Sequence, residues 1–185
     1  SFLTGENQQV DFDTISTNSF VGEYRIGLWD RLFITAGVRY DDNDTFDDFV
    51  SPRFTASYEV RETGTRFHGS WGKGIQNPTL TELFGFFDDF VPNPNLQPEE
   101  SRGWDAGIEQ SLLDERIVAD VTYFNNRITD IISEEFVAGP PSGLRPINLD
   151  GTTKIQGVET TLTAEIIDGL TANGTYTFTD SEDPD

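Results

Sequence analysis

From Ser19 onward the chain alternates polar and apolar side chains in long runs, and few folds tolerate that pattern. In "RLFITAGVRYD" (31–41), Leu32, Ile34, Ala36, Val38 and Tyr40 share one side. Arg31, Thr35, Gly37 and Arg39 share the other, with Phe33 the only large apolar residue among them. The pattern recurs where Phe54, Ala56, Tyr58 and Val60 oppose Arg53, Thr55, Ser57 and Glu59, and again where Leu170, Ala172, Gly174, Tyr176 and Phe178 oppose threonines and Asn173. Successive strand side chains point to opposite faces, so each run is a strand between an apolar and a wet surface. The runs predict eight strands, at 19–28, 31–41, 49–60, 65–74, 102–113, 116–133, 153–167 and 170–180. Most are about ten residues or longer, against the five or six usual in soluble sheets. Helical spacing is nowhere sustained; a single turn fits "TLTELF", capped by Thr79 or Thr81.

The connections sort by length. Trp29-Asp30, 61–64, Asp114-Glu115 and Asp168-Gly169 are short, while 42–48, 75–101 and 134–152 are long. Alternate connections of an up-and-down sheet lie at opposite ends, so tight turns gather at one end and long loops at the other. Outer-membrane barrels have this arrangement. Charge sorts the same way: of a net −21, about half the acids fall in the long loops and the tail, whereas the tight turns pair opposite signs. So acidic a chain does not suit nucleic acid, whose phosphates call for a basic surface. No run approaches the length of a membrane helix, but a transmembrane barrel needs only strands of about 9–11 residues. Cysteine is absent, so no disulfide framework or thiol metal site exists. The expected fold is all-β: an antiparallel up-and-down transmembrane β-barrel, about eight strands of a larger one. A chain that opens at Ser1 without any Met and stops at "TDSEDPD" is expected to be part of a longer protein.

On this reading the apolar face (Leu32, Ile34, Val38, Ile108, Val121, Leu162, Ile166) meets acyl chains, because lipid cannot hydrogen-bond. Glu23, Arg25, Arg39, Arg53, Glu59, Arg66, His68, Asp105, Glu109, Asp120, Glu159 and Glu165 are expected to face the lumen. Their mixed signs suit contact with a polar plug better than a channel selecting one ion sign. Trp29, Tyr40, Trp71, Trp104 and Tyr123 are candidates for interfacial girdles or for simple packing.

Four segments, "GKGIQNPTLTELFG", "NPNLQPEESRGWDAGIEQ", "YFNNRITDII" and "KIQGVETTL", occur in the order and spacing of TonB-dependent outer-membrane receptors. Over roughly 19–183 the chain resembles that family, most closely its cobalamin- and siderophore-receptor branch. One departure is Gln76-Asn77 ahead of the Pro78-x-Leu80 step, where the family has an aromatic–basic pair. The resemblance implies a 22-stranded barrel occluded by an N-terminal plug. It implies uptake of a scarce metal chelate across the outer membrane of a Gram-negative bacterium, driven by TonB through that plug. Residues 1–185 then correspond to part of the barrel domain, with neither plug nor TonB box.

The loop 75–101 falls outside the cell on this reading. Its prolines stiffen a segment with no ladder to join, and Leu80, Leu83 and Leu96 are expected to pin it to the rim. Phe84, Phe86, Phe87 and Phe90 either grip an aromatic or macrocyclic ligand or form a cluster that holds the loop together. Asp41, Asp42 and Asp44 supply oxygen ligands at close spacing, a weak calcium pattern lacking the EF-hand's glycine and closing glutamate. Cobalamin receptors order acidic loops with calcium, though on earlier strands. No other cofactor is expected. His68, the only histidine, reads as a lumen hydrogen-bonding residue, and without a nucleophile motif the chain reads as no enzyme. Two alternatives remain. One is a self-contained structural or adhesive barrel, whose strands near residues 20 and 180 would pair; the other is a soluble acidic β-sandwich.

Overall fold

The computed structural model describes residues 14–85 and 89–183. Eight long strands form one antiparallel sheet: β1 (Thr17–Leu28), β2 (Leu32–Asn43), β3 (Phe49–Val60), β4 (Thr65–Gln76), β5 (Glu99–Leu112), β6 (Ile117–Thr129), β9 (Thr152–Ile167) and β10 (Leu170–Glu182). Each pairs with its neighbour in the order β1-β2-β3-β4-β5-β6-β9-β10. The remaining strands, β7 (Ile132–Val137) and β8 (Gly143–Asn148), form a separate hairpin between β6 and β9. A strand of 12 residues is about 40 Å long, enough to cross a hydrocarbon core at a tilt.

Register converts the alternation into two chemically distinct faces. One row across all eight strands reads Ile26, Ile34, Ala56, Gly69, Ala106, Tyr123, Val158, Phe178. The row toward the tight turns reads Leu28, Leu32, Tyr58, Phe67, Ile108, Val121, Thr160, Tyr176. The side chains of Phe67, Ile108, Val121 and Tyr176 remain open to the surroundings, as a surface awaiting an apolar solvent would be. On the opposite face the matching row reads Gly27, Phe33, Ser57, His68, Gly107, Thr122, Glu159, Thr177. A hollow of about 460 Å³ spanning β2 to β5 lies on this polar side, so the sheet is concave there.

The tight turns use positive φ to reverse the chain. Trp29 and Asp30 have φ of 53° and 52°, with Arg31 N donating to Leu28 O at 3.1 Å. Leu113, Asp114 and Glu115 extend this to three consecutive residues, at φ of 55°, 54° and 66°, with Arg116 N donating to Leu113 O at 3.2 Å. Arg31 also donates two bonds to the Glu62 carboxylate, at 3.0 and 2.6 Å, tying the first turn to the second. That pairing holds the Glu62 carboxyl below its ordinary range.

Three expectations need correction. The strand expected over 116–133 ends at Thr129, because Asp130 turns the chain at φ 57°. The segment 134–152, expected as loop, contains β8 and most of β7. β1 and β10 occupy opposite edges of an open sheet and do not pair, against the self-contained barrel.

Candidate functional site

The long loops build a cap over one end of the sheet. Thr79 starts helix α1 (Leu80–Phe84): its Oγ1 accepts from Glu82 N while the Glu82 carboxylate accepts from Thr79 N, a reciprocal capping box. Gly85 ends the helix at φ 67°, with the Pro92 ring close enough that an added Cβ would press on it. Leu83 and Leu96 are each 2% exposed and, with Pro146, are the most deeply buried apolar residues described. Leu80 is more than a third exposed, so two of the three expected pins are buried and the third is not.

The cap is stitched across about fifty residues of sequence. Gln97 N donates to Asn148 Oδ1 at 2.8 Å, and Asn148 Nδ2 returns a bond to Gln97 O at 2.9 Å. Buried Asn93 donates from Nδ2 to Pro146 O at 3.0 Å and accepts from Asn95 N at 3.1 Å. Phe90 bridges to Leu144, with Val91 N donating to Leu144 O and Leu144 N to Asp89 O. The segment 89–91 thus lies along β8 as an extra edge.

Of the four candidate phenylalanines, Phe84 is exposed and Phe90 half-buried against the hairpin; Phe86 and Phe87 lie outside the described residues. Phe136, 72% exposed on β7, adds an aromatic that sequence reasoning left unassigned in "SEEFVAG". The three aspartates considered for calcium do not converge. Asp41 is buried and accepts from Ser19 Oγ at 2.6 Å and Arg39 Nε at 2.7 Å. Asp42, the next residue on β2, takes the opposite face. Asp44 accepts from Ser16 N and Thr45 Oγ1, and the bond from Ser16 leads in lowering its pKa. Among the described residues no three acidic, histidine or cysteine side chains are grouped to hold a metal.

The concave face collects the expected lumen residues. Registers put Arg25, Arg39, Arg53, Arg66, His68, Glu109 and Glu159 on it, together with Glu23, Glu59, Asp105, Asp120 and Glu165. Arg66 grips Glu109 through two bonds of 3.0 and 2.7 Å, and His68 Nε2 donates to Asp120 at 2.7 Å. Ser70 donates to Asp105, and Thr122 to Asp120. Gly107 opens room here: a Cβ there would meet both the His68 ring and Thr122. The result is a polar ladder of paired charges, with Arg53 beside it lining the hollow. It offers hydrogen bonds to a polar body and carries no nucleophile arrangement.

These features, an apolar belt, a polar concave face and a capped end, agree with a family model for TonB dependent receptor-like β-barrels that matches residues 1–185. The chain belongs to this family. Members of the TonB-dependent receptor family are transporters, and the chain is not an enzyme. The barrel superposes on the siderophore receptor PirA from Pseudomonas aeruginosa with a TM-score of 0.79 at 21% identity, over 90% of this chain and 34% of that one. For the ferric enterobactin receptor PfeA of the same organism, as a G324V mutant, the TM-score is 0.74 at 24% identity, over 89% and 26%. The copper transporter OprC gives 0.71 at 15%, over 89% and 29%. The chain therefore spans about a third or less of these receptors. The eight-stranded sheet is open and matches part of the wider barrels of these receptors, which removes the soluble β-sandwich as a reading.

Proposed function

We propose that the chain forms part of the barrel wall of an outer-membrane receptor of a Gram-negative bacterium. That receptor imports a scarce metal chelate of the ferric-siderophore class. Uptake is driven by the TonB system through a plug seated against the concave face. The observation that carries this is the sorting of charge: on the tight-turn side of the row through Trp71 and Trp104 no charged side chain stands on the outward face of any strand of the sheet, while eight (Arg25, Glu59, Arg66, Asp105, Glu109, Asp120, Glu159 and Glu165) and His68 stand on the inward one. Such a wall suits lipid outside and a wet, polar occupant inside. The siderophore class is favoured over cobalamin because similar folds include PirA and a PfeA structure in complex with enterobactin. The exposed aromatics Phe84 and Phe136 give the cap apolar contact area for a chelate.

Uptake by cells carrying the full-length receptor tests this. A panel of labelled ferric catecholate, ferric hydroxamate, copper chelate and cobalamin is offered with and without a working TonB. Accumulation of a ferric chelate that disappears without TonB is the expected result. Cobalamin or copper uptake alone would overturn the ligand class, and TonB-independent uptake would overturn the mechanism.

A further inference from the structure

Lys73, Arg102, Arg127 and Lys154 stand directly opposite one another on β4, β5, β6 and β9. Four of the chain's 12 basic residues, in a chain of net charge −21, thus form a single cross-strand row. Like charges directly opposite in a sheet repel. A row of adjacent cations therefore calls for anions from outside or from neighbours. Neighbours offset it only in part. Lys154 Nζ pairs with Glu182 at 3.0 Å, and the Arg102 guanidinium lies over the Trp71 ring at 5.5 Å. Glu100 lines the same groove of about 320 Å³. Among the described residues Lys73 and Arg127 enter no ion pair, and all four basic side chains are exposed.

The position of the row identifies its partner. It lies on the outward face, two residues beyond the row Trp71, Trp104, Asn125, Gln156. Below that comes Gly69, Ala106, Tyr123, Val158, wholly uncharged. Each step is about 7 Å along the strand. Moving toward the capped end, the outward surface thus passes from aliphatic to aromatic–amide to basic, the sequence of a hydrocarbon core, its interface and its headgroups.

We propose that this row binds the phosphate groups of anionic lipid in the leaflet on the capped side. The inference rests on the outer-membrane reading above. A lipid fits better than a free anion because, past the aromatic–amide row, the outward face of these four strands stays uncharged and mostly apolar down to the tight turns. One molecule can lay its chains there and raise its phosphate into the groove. Arg102 and Arg127 offer planar forks to phosphate oxygens, and Lys73 and Lys154 add point charges from either side.

The test uses the full-length receptor purified in mild detergent and titrated with diphosphoryl lipid A under native mass spectrometry. Arg127→Gln should weaken binding about fivefold, and neutralising all four should compound that loss. Rising salt should weaken it further. Arg116→Gln, at a tight turn, should leave it unchanged. Equal binding by the four-site variant, equal binding of the dephosphorylated lipid, or equal competition by inorganic phosphate would each overturn the proposal. Heat-modifiable gel mobility verifies folding, and if the four-site variant does not fold, Arg127→Gln alone decides. Failure of the outer-membrane reading would show separately, as wild-type receptor that does not fractionate with outer membranes.

Discussion

At the scale of single residues, the cap depends on a few polar side chains whose partners lie far along the chain. Asn148 exchanges two bonds with the Gln97 backbone and donates a third to Asp130 O at 2.7 Å. At roughly 1 kcal/mol per bond, Asn148→Ala should destabilise the cap by about 2–3 kcal/mol. Hydrogen exchange at the Gln97 amide would report it, and unchanged protection would refute the role. Gly143 is constrained differently: a Cβ there would run into the Asp89 carbonyl. Gly143→Ala should therefore detach the segment 89–91 from β8, read as faster proteolysis within the loop and an unchanged barrel. Neither role was legible in the sequence. An asparagine within "RPINLD" carries no mark of a partner 51 residues away. The residues of the polar face were legible because strand parity alone fixes their side.

At the scale of elements, the sheet was legible wherever its apolar and polar faces impose opposite demands on neighbouring residues. The expected β6 ran too far because Ile131 and Ile132 extend an apolar pattern across the turn at Asp130. The β7–β8 hairpin was missed because it packs against another loop and never alternates between two solvents. Helix α1 was legible from its capping residues, and Thr79→Ala should cost about 1 kcal/mol of local stability through loss of the Oγ1 bond to Glu82 N. Loss of protection at that amide, with the sheet unaltered, is the expected readout. The β2–β3 loop has a pH-sensitive tether, since Asp44 accepts from Ser16 N at 3.0 Å and its pKa is lowered. A lowered carboxyl contributes stability above its unfolded pKa of about 4 and loses it as pH falls through the folded value. The Ser16 amide should thus exchange slowly at neutral pH and lose that extra protection in acid below about pH 4, after correction for the intrinsic rate. Asp44→Asn should remove most of this dependence.

At the scale of the whole molecule, the two faces make opposite predictions for one substitution. Val121 lies in the apolar belt, and Val121→Arg should destabilise the membrane-inserted receptor by about 2–4 kcal/mol. Thr161, on the concave face opposite Asp120, should accept arginine at little cost. Reversible unfolding of the full-length receptor in lipid vesicles compares the two, and equal penalties would contradict the assignment of faces. The deep burial of Leu83, Leu96 and Pro146 lies outside the sheet, in the cap. On the proposed function, the receptor wall thus carries a second packed unit with a water-excluding nucleus of its own, whereas the wall relies on its solvent. Such a unit should then melt while the strands, on that reading, stay threaded through the bilayer. A chelate seated on it would raise the cap's melting point and leave the wall's unchanged, so that calorimetry alone would reveal on which part of the receptor a ligand sits.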